Sequence, residues 1–415
     1  MSTPSLSDLG RRAKAAARSI AVLCSSVKDE ALLSAADHLV DRSDEILSAN
    51  AADVARSAEA GASATVIDRL RLSEARVRLM ADGLRSVAAL ADPVGEVVEG
   101  YVRPNGLRVQ RVRVPLGVVG IIYENRPNVT ADAAALCLKS ANAALLRGSA
   151  GALESNRVIA SSLRQAIEKA GLPADAVLLV EDTAHETAEE FVRLRGVIDC
   201  LIPRGGPALI SMILEHATVP YVLDGDGNCH VYVDASADLD MAERIVVNAK
   251  MQRPSVCNAA ETLLVHKDVA ARFLPRMSRA LEGVVLAADA RARPLLPGSR
   301  AASETDFATE FLALELAVGV VDDLDAAISH IARFGSGHSE AIITSDLEAA
   351  TIFVRQVDAA AVLVNASTRF IDGGELGLGA EVGISTQKLH ARGPMGLREL
   401  TCVKYVVHGE GQIRA

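Results

Sequence analysis

Up to about Ala91, apolar positions recur at steps of three and four residues, as in "LRLSEARVRLMADGLRSVAAL", with polar side chains on the other faces. A repeat near 3.6 residues predicts amphipathic helices, each burying one stripe. The early stretch "GRRAKAAARSIAVL" is basic and alanine-rich, in the manner of a transit peptide. It runs straight into the helical "DEALLSAADHLVDRSDEILSAN" and therefore reads as an ordinary amphipathic surface helix. The period then shortens. In "YVRPNGLRVQRVRVPLG", Val109, Val112 and Val114 interleave with Arg108, Arg111 and Arg113 after an Asn105-Gly106 turn dipeptide. That pattern predicts a β-hairpin whose cationic face meets solvent or a partner subunit.

From Val118 onward, short apolar runs ("VVGIIY", "AALL", "AVLLV", "DCLIP", "YVL", "HVYVD") alternate with helical stretches. Continuous apolar strands separated by helices of roughly 10 to 15 residues predict a parallel sheet covered on both faces, the architecture of nucleotide-binding α/β domains. A second series starts at the helix "SADLDMAERIVVNAK" and includes "ETLLVH", "LAVGVV", "EAIITS" and "AAVLVN", predicting a second α/β unit. The tail "LRELTCVKYVVHGEG" ends in a strand with nothing after it to pair with. Such a strand is expected to dock on another element or another subunit.

Composition narrows the function classes. With 415 residues, half of them hydrophobic, the chain can fill two or three domain cores. It carries 43 basic against 53 acidic residues, 3% aromatics and no tryptophan. A nucleic-acid binder calls for basic grooves and stacking rings, so that class is set aside. No apolar run approaches the ~20 residues that span a bilayer. Six scattered cysteines without a CxxC, and no pattern of a cleavable leader, lead to the expectation of free thiols in a reducing cytoplasm, with no metal site.

Three polar stretches carry candidate chemistry. In "NAKMQRPSVCNAAETLLVH", Cys257 stands beside Arg253 and Asn258 just before a strand. A nearby arginine, and a helix N-terminus if one follows, would lower a thiol pKa, while Asn258 is suited to line an oxyanion pocket. Composition alone leaves this thiol open between packing and reacting. In "IPRGGPALI", a strand, Gly205-Gly206 and a helix follow one another, which offers backbone N–H groups to an anion or simply makes a tight turn. In "YENRPNVTADAAALCLKSANAALLRGSAG", Glu124, Asn125, Arg126 and Asn128 follow the carboxyl end of a strand, where ligands of parallel sheets collect, and Arg147 ends the next strand. "GELGLGAEVG" follows no strand and reads as a loop rather than a dinucleotide fingerprint.

Here the residues reach a resemblance. "VPLGVVGIIYENRPNVTADAAALCLKSANAALLRGS", "LIPRGG", "CHVYVD", "VVNAKMQRPSVCNAAETLLVH" and "KLHARGPMGLRELT" occur in order along nearly the whole chain. Together they resemble the signatures of the γ-glutamyl phosphate reductase (glutamate-5-semialdehyde dehydrogenase) family, part of the aldehyde dehydrogenase superfamily. The resemblance implies an aldehyde dehydrogenase-like α/β fold with a Rossmann-type cofactor domain (1–100 and 116–234) and an α/β catalytic domain (235–390). It also implies an oligomerisation flap (101–115 and 391–415), made of the hairpin and the C-terminal strand.

By the same resemblance Cys257 is the nucleophile. Arg147 stands where related enzymes have a lysine on the adenosine ribose or its 2′-phosphate, and Glu310 matches the glutamate that holds the nicotinamide ribose. Gly205 and Gly206 are the remaining cofactor candidates. "YENRP" matches the loop near the oxyanion site, with Asn125, Asn128 and the backbone N–H of Cys257 as alternative donors. Hydrolytic relatives carry a general-base glutamate in an "ELGG"-like strand end, whereas "YVLDGDGNCH" has none and offers only Asp224 and Asp226 nearby.

The expected reaction is therefore NADPH-dependent reduction of L-glutamyl 5-phosphate through a cysteine thioester, in proline biosynthesis. Arg253, Arg126, Lys388, His390 and Arg392 are the expected cations for substrate phosphate and carboxylate. A homo-oligomer is expected, and the glutamate 5-kinase that makes the acyl phosphate is the candidate partner. The alternatives are a hydrolytic or CoA-acylating aldehyde dehydrogenase, or a nicotinamide-independent cysteine acyltransferase. None of the nine histidines announces itself as the base the last would need.

Overall fold

A computed structural model describes residues 4–223 and 225–414. The chain folds as two compact units, the first comprising Met1–Leu223, Leu378–Gly383 and Met395–Ala415, the second Asp224–Gly377 and Ile384–Pro394.

In the first unit the expected helices form, beginning with Leu6–Ile20, Ser25–Asp41 and Ser43–Glu59. The first buries Leu6, Leu9, Ala13, Ala16, Ala17 and Ile20, one stripe of a 3.6-residue repeat, so the basic N-terminal stretch is a packed helix. The Ser5 hydroxyl caps it by accepting the N–H of Asp8, satisfying one of the amides that lack an intrahelical partner. Strands β1 (Val97–Val102) and β2 (Arg108–Pro115) form the predicted antiparallel hairpin around Asn105-Gly106, with every residue of β1 exposed. Four parallel strands follow: β3 (Val118–Tyr123), β4 (Ala143–Gly148), β5 (Val177–Leu179) and β6 (Cys200–Arg204), in the order β5-β4-β3-β6. All residues of β3 and β4 are buried, as continuous apolar runs require in a sheet covered on both faces.

The second unit is built on seven parallel strands. They are β7 (Cys229–Val233), β8 (Ala260–His266), β9 (Val285–Ala288), β10 (Arg300–Ala301), β11 (Glu315–Val321), β12 (Ser339–Ile343) and β13 (Ala361–Val364), in the order β10-β9-β11-β8-β7-β12-β13. Alternation along β7 and β8 splits the core in two: Val231, Val233, Leu263 and Val265 pack against Phe273 and Leu274, while Tyr232 and Leu264 face Phe353 and Ile331.

One strand falls outside its expected series. "HVYVD" reads as the end of the first α/β series, yet β7 lies between β8 and β12, and the first unit's opening segment closes at Leu223 instead of 234. An apolar run identifies a strand but not its neighbours, and a strand buried on both faces and both edges takes whichever two partners the topology supplies.

Two short strands, β14 (Ile384–Ser385) and β15 (Gly393–Pro394), pair with each other in the second unit. The C-terminal β16 (Thr401–His408) pairs antiparallel with β2 over its whole length, so the terminal strand docks on the basic hairpin of its own chain. The glycine-rich stretch 374–383 forms turns and bends, as its loop assignment expects. No helix among the described residues is long and apolar enough to cross a membrane.

Candidate active site

The loop 252–259, which carries Cys257, joins the helix Leu239–Met251 to β8. No helix starts after the cysteine, so the helix-terminus contribution to its acidity does not arise. Cys257 itself is half-buried. Lys250, in the last turn of the preceding helix, and Glu261, the second residue of β8, pair at 2.5 Å and are both fully buried. This pair closes the base of the loop. Burial pushes the Glu261 carboxyl up and the Lys250 ammonium down, each opposed by attraction to the other. The second Glu261 oxygen accepts the N–H of Leu312 at 3.2 Å, and Leu312 holds a left-handed φ of 52° that a branched side chain seldom adopts.

Three further contacts fix the cysteine backbone. The Cys229 thiol donates to the Cys257 carbonyl at 3.1 Å, and burial raises the Cys229 pKa well above the usual thiol range, keeping it a neutral donor. The Gly227 backbone lies so close that a Cβ there would overlap the Cys257 carbonyl. The Gly227 N–H is held in turn by Glu310 Oε1 at 2.8 Å. Glu310, matched by resemblance to a ribose-holding glutamate, thus braces the backbone beneath the cysteine.

The segment after β13 is tied to both flanks of the loop: Arg369 Nε donates to Gln252 Oε1 at 2.8 Å, and Asn258 Nδ2 to the Ile371 carbonyl at 2.7 Å. The Asn258 side chain therefore anchors this segment. Arg253 is exposed on the loop. Lys388 and Arg392 form ion pairs with one carboxylate, Asp358, and His390 is exposed in the turn between them. Lys388 in first place and then Arg392 hold the Asp358 pKa down. Arg369 was missed by motif matching, although its place beyond the carboxyl end of a parallel strand is where ligand groups collect. Asp226 is exposed, and Asp224 lies outside the described residues.

In the first unit, Glu124 follows β3 and accepts the Gly206 N–H at 2.9 Å, at the start of the helix Pro207–His216. A carboxylate thus occupies the N-terminus that the sequence suggested for an anion. Asn125 adopts φ 48°, donates its N–H to Ser149 Oγ at 3.1 Å and accepts the Ser149 hydroxyl on Oδ1 at 3.0 Å. Arg126 is half-buried just before the helix Asn128–Lys139. Asn128 Nδ2 donates to Asp132 at 2.9 Å, one turn on, which lowers a carboxyl pKa that burial pushes up to about 6. Arg147, 7% exposed, donates to the carbonyls of Thr183 (3.1 Å) and Ala184 (2.7 Å), and its buried Nε has no partner. Desolvation lowers its pKa.

The model of the aldehyde dehydrogenase family matches residues 6–293. A γ-glutamyl phosphate reductase of Moorella thermoacetica is 56% identical over 407 residues, 98% of this chain and 97% of that one. The chain belongs to the γ-glutamyl phosphate reductase family. A crystal structure of the family member from Thermotoga maritima superposes with a TM-score of 0.97 at 46% identity, covering 99% of this chain and 100% of that one. An acetylating aldehyde dehydrogenase from Geobacillus thermoglucosidasius, 17% identical and covering 99% and 97% of the two chains, matches at 0.70 and shares the fold alone. Membership makes the chain an oxidoreductase of amino-acid biosynthesis with the aldehyde dehydrogenase-like α/β fold, and a nicotinamide cofactor goes with that family. The first unit fits such a group in two respects. Gly206 already presents an amide to an anionic group, and a buried donor at Arg147 lacks an acceptor.

Proposed function

We propose that the chain reduces L-glutamyl 5-phosphate to L-glutamate 5-semialdehyde with release of phosphate, using NADPH and a thioester on Cys257. The observation that carries this reading is the half-buried thiol on a loop whose backbone is fixed by Cys229, Gly227 and the Lys250–Glu261 pair. The Cys257 thiolate attacks the acyl carbon, the bond to the phosphate oxygen breaks, and the electron pair leaves with phosphate. When bound, the cofactor supplies a hydride to the thioester carbon. The resulting oxyanion collapses, expelling the thiolate and freeing the aldehyde.

An oxyanion donor aimed in advance is worth roughly 10²- to 10³-fold in rate. The Cys257 backbone N–H is the donor we assign, because it belongs to the residue whose thiol takes up the acyl carbon. Arg147, Gly205 and Gly206 in the first unit hold the cofactor, and Glu310 holds its nicotinamide ribose. β1, β2 and β16 form the flap of a homo-oligomer, and a glutamate 5-kinase supplies the labile substrate in the cytoplasm.

Run in reverse, the enzyme reduces NADP⁺ with glutamate semialdehyde and inorganic phosphate. Cys257→Ala should abolish this turnover while leaving NADPH binding, followed by fluorescence, largely intact. Substantial residual turnover would remove Cys257 from the nucleophile role. Turnover that persists without phosphate would mark a hydrolytic dehydrogenase instead.

A further inference from the structure

Asn248, Gln252, Arg369, Phe370, Asp372 and Glu375 line a cavity of about 220 Å³ in the second unit. Two bonds fix its position against the cysteine loop, from Arg369 to Gln252 before Cys257 and from Asn258 after it to Ile371. With Nε committed to Gln252, the terminal nitrogens are the guanidinium's other donors. Burial lowers the Arg369 pKa; Asp372 opposes that, Arg253 adds to it, and Cys257 and Glu375 oppose it. The cavity and the thiol therefore share one electrostatic neighbourhood. Asp372 is kept in shape by the Gly374 N–H, which it accepts at 2.9 Å.

The lining is chemically uneven: one planar cation, two carboxylates, two amides and one phenyl ring around a volume below the ~300 Å³ typical of drug-sized ligands. A phosphate would meet two like charges there, and an apolar aldehyde would pair with none of the charged groups. A free α-amino acid end satisfies both signs, because it carries a carboxylate and an ammonium on one carbon. We infer that this cavity reads the α-carboxylate and α-ammonium groups of the substrate, Arg369 pairing with the first and Asp372 and Glu375 with the second. The inference rests on Cys257 being the nucleophile for the acyl group at the other end of the same molecule. It moves substrate selection away from Lys388 and Arg392, which share Asp358.

The test compares three aldehydes in the phosphate-dependent assay: glutamate semialdehyde, 5-oxopentanoate, which lacks only the amino group, and pentanal, which lacks both groups. Losing one charge-assisted contact corresponds to about 10- to 100-fold. Arg369→Gln should lower the preference for 5-oxopentanoate over pentanal by about that factor, mostly through KM, with partial rescue in Arg369→Lys. The double variant Asp372→Asn with Glu375→Gln should lower the preference for glutamate semialdehyde over 5-oxopentanoate by about 10-fold. Alkylation of Cys257 by iodoacetamide reports whether the loop survives each change. Preference ratios that stay within twofold of wild type would overturn the inference. So would an equal loss on all three aldehydes with slowed alkylation, which would make Arg369 a brace. Turnover that survives Cys257→Ala in an otherwise unchanged chain would instead defeat the nucleophile reading beneath it.

Discussion

The polar groups at the carboxyl ends of β3 and β4 and those around Cys257 are held by opposite means. In the first region, two side chains with chemical potential are closed onto backbone groups, Glu124 on the Gly206 N–H and Arg147 on two carbonyls, and the Asn125 amide oxygen accepts the Ser149 hydroxyl. Phosphates and sugar hydroxyls seek the same partners, so a bound nucleotide would exchange contacts with them. Around Cys257 the bonds are made by residues beside and beneath the thiol, through the Lys250–Glu261 pair, the Cys229 thiol and the Gly227 backbone. A loop with preformed support suits a nucleophile, whose geometry must be fixed before the substrate arrives, while exchangeable bonds suit a site that takes up and releases a cofactor.

The contrast is most directly broken at Lys250. Lys250→Met leaves Glu261 buried without its partner and should cost about 3–5 kcal/mol, read from the urea unfolding midpoint. Pairing it with Glu261→Leu should restore most of that stability while removing the acceptor of the Leu312 N–H. A single variant as stable as wild type would deny the pair its bracing role.

On the opposite side, Asp132 tests how costly the first region's polar packing is. Its folded pKa, raised to about 6 from 3.8, means the contribution to stability is complete below pH 3.8 and is lost as pH rises through about 6. Asp132→Asn should therefore gain up to about 3 kcal/mol at pH 8 relative to pH 4, and unfolding measured at both values would show it. An unchanged pH dependence would refute the burial argument.

The smallest effect is expected at Arg147. Arg147→Ala should weaken NADPH by roughly 10-fold and NADH by less, as titrations of both would show. Equal weakening would argue against a 2′-phosphate contact.

How far these features were legible varied with their range along the chain. β3 and β4 were visible as "VVGIIY" and "AALL" because strands buried on both faces leave no polar alternation to misread. β7 was equally visible, but its partners β8 and β12 were not, since pairing is decided by the rest of the topology. Cys257 stood out through its polar setting, whereas its supports depend on contacts that local composition does not encode: Gly227, Cys229 and Glu310 are distant in sequence. The bond between Asn128 and Asp132 was readable in "NVTAD" as neighbours one helical turn apart. Lys388 and Arg392 were named as substrate ligands from residue type and spacing, whereas the carboxylate they share, Asp358, lies thirty residues or more upstream and outside that motif.

Gly227 sets a limit of another kind, on which sequences can carry this chemistry at all. The atom a Cβ would strike belongs to the backbone of Cys257, so no rotamer change can make room. By contrast, the nearest obstacle at Gly225 is the side chain of Thr386, which has alternative rotamers. Position 227 is thus closed to every other residue type by geometry alone, and a redesign of this loop for a new substrate has to treat that glycine and the cysteine carbonyl as a single fixed piece.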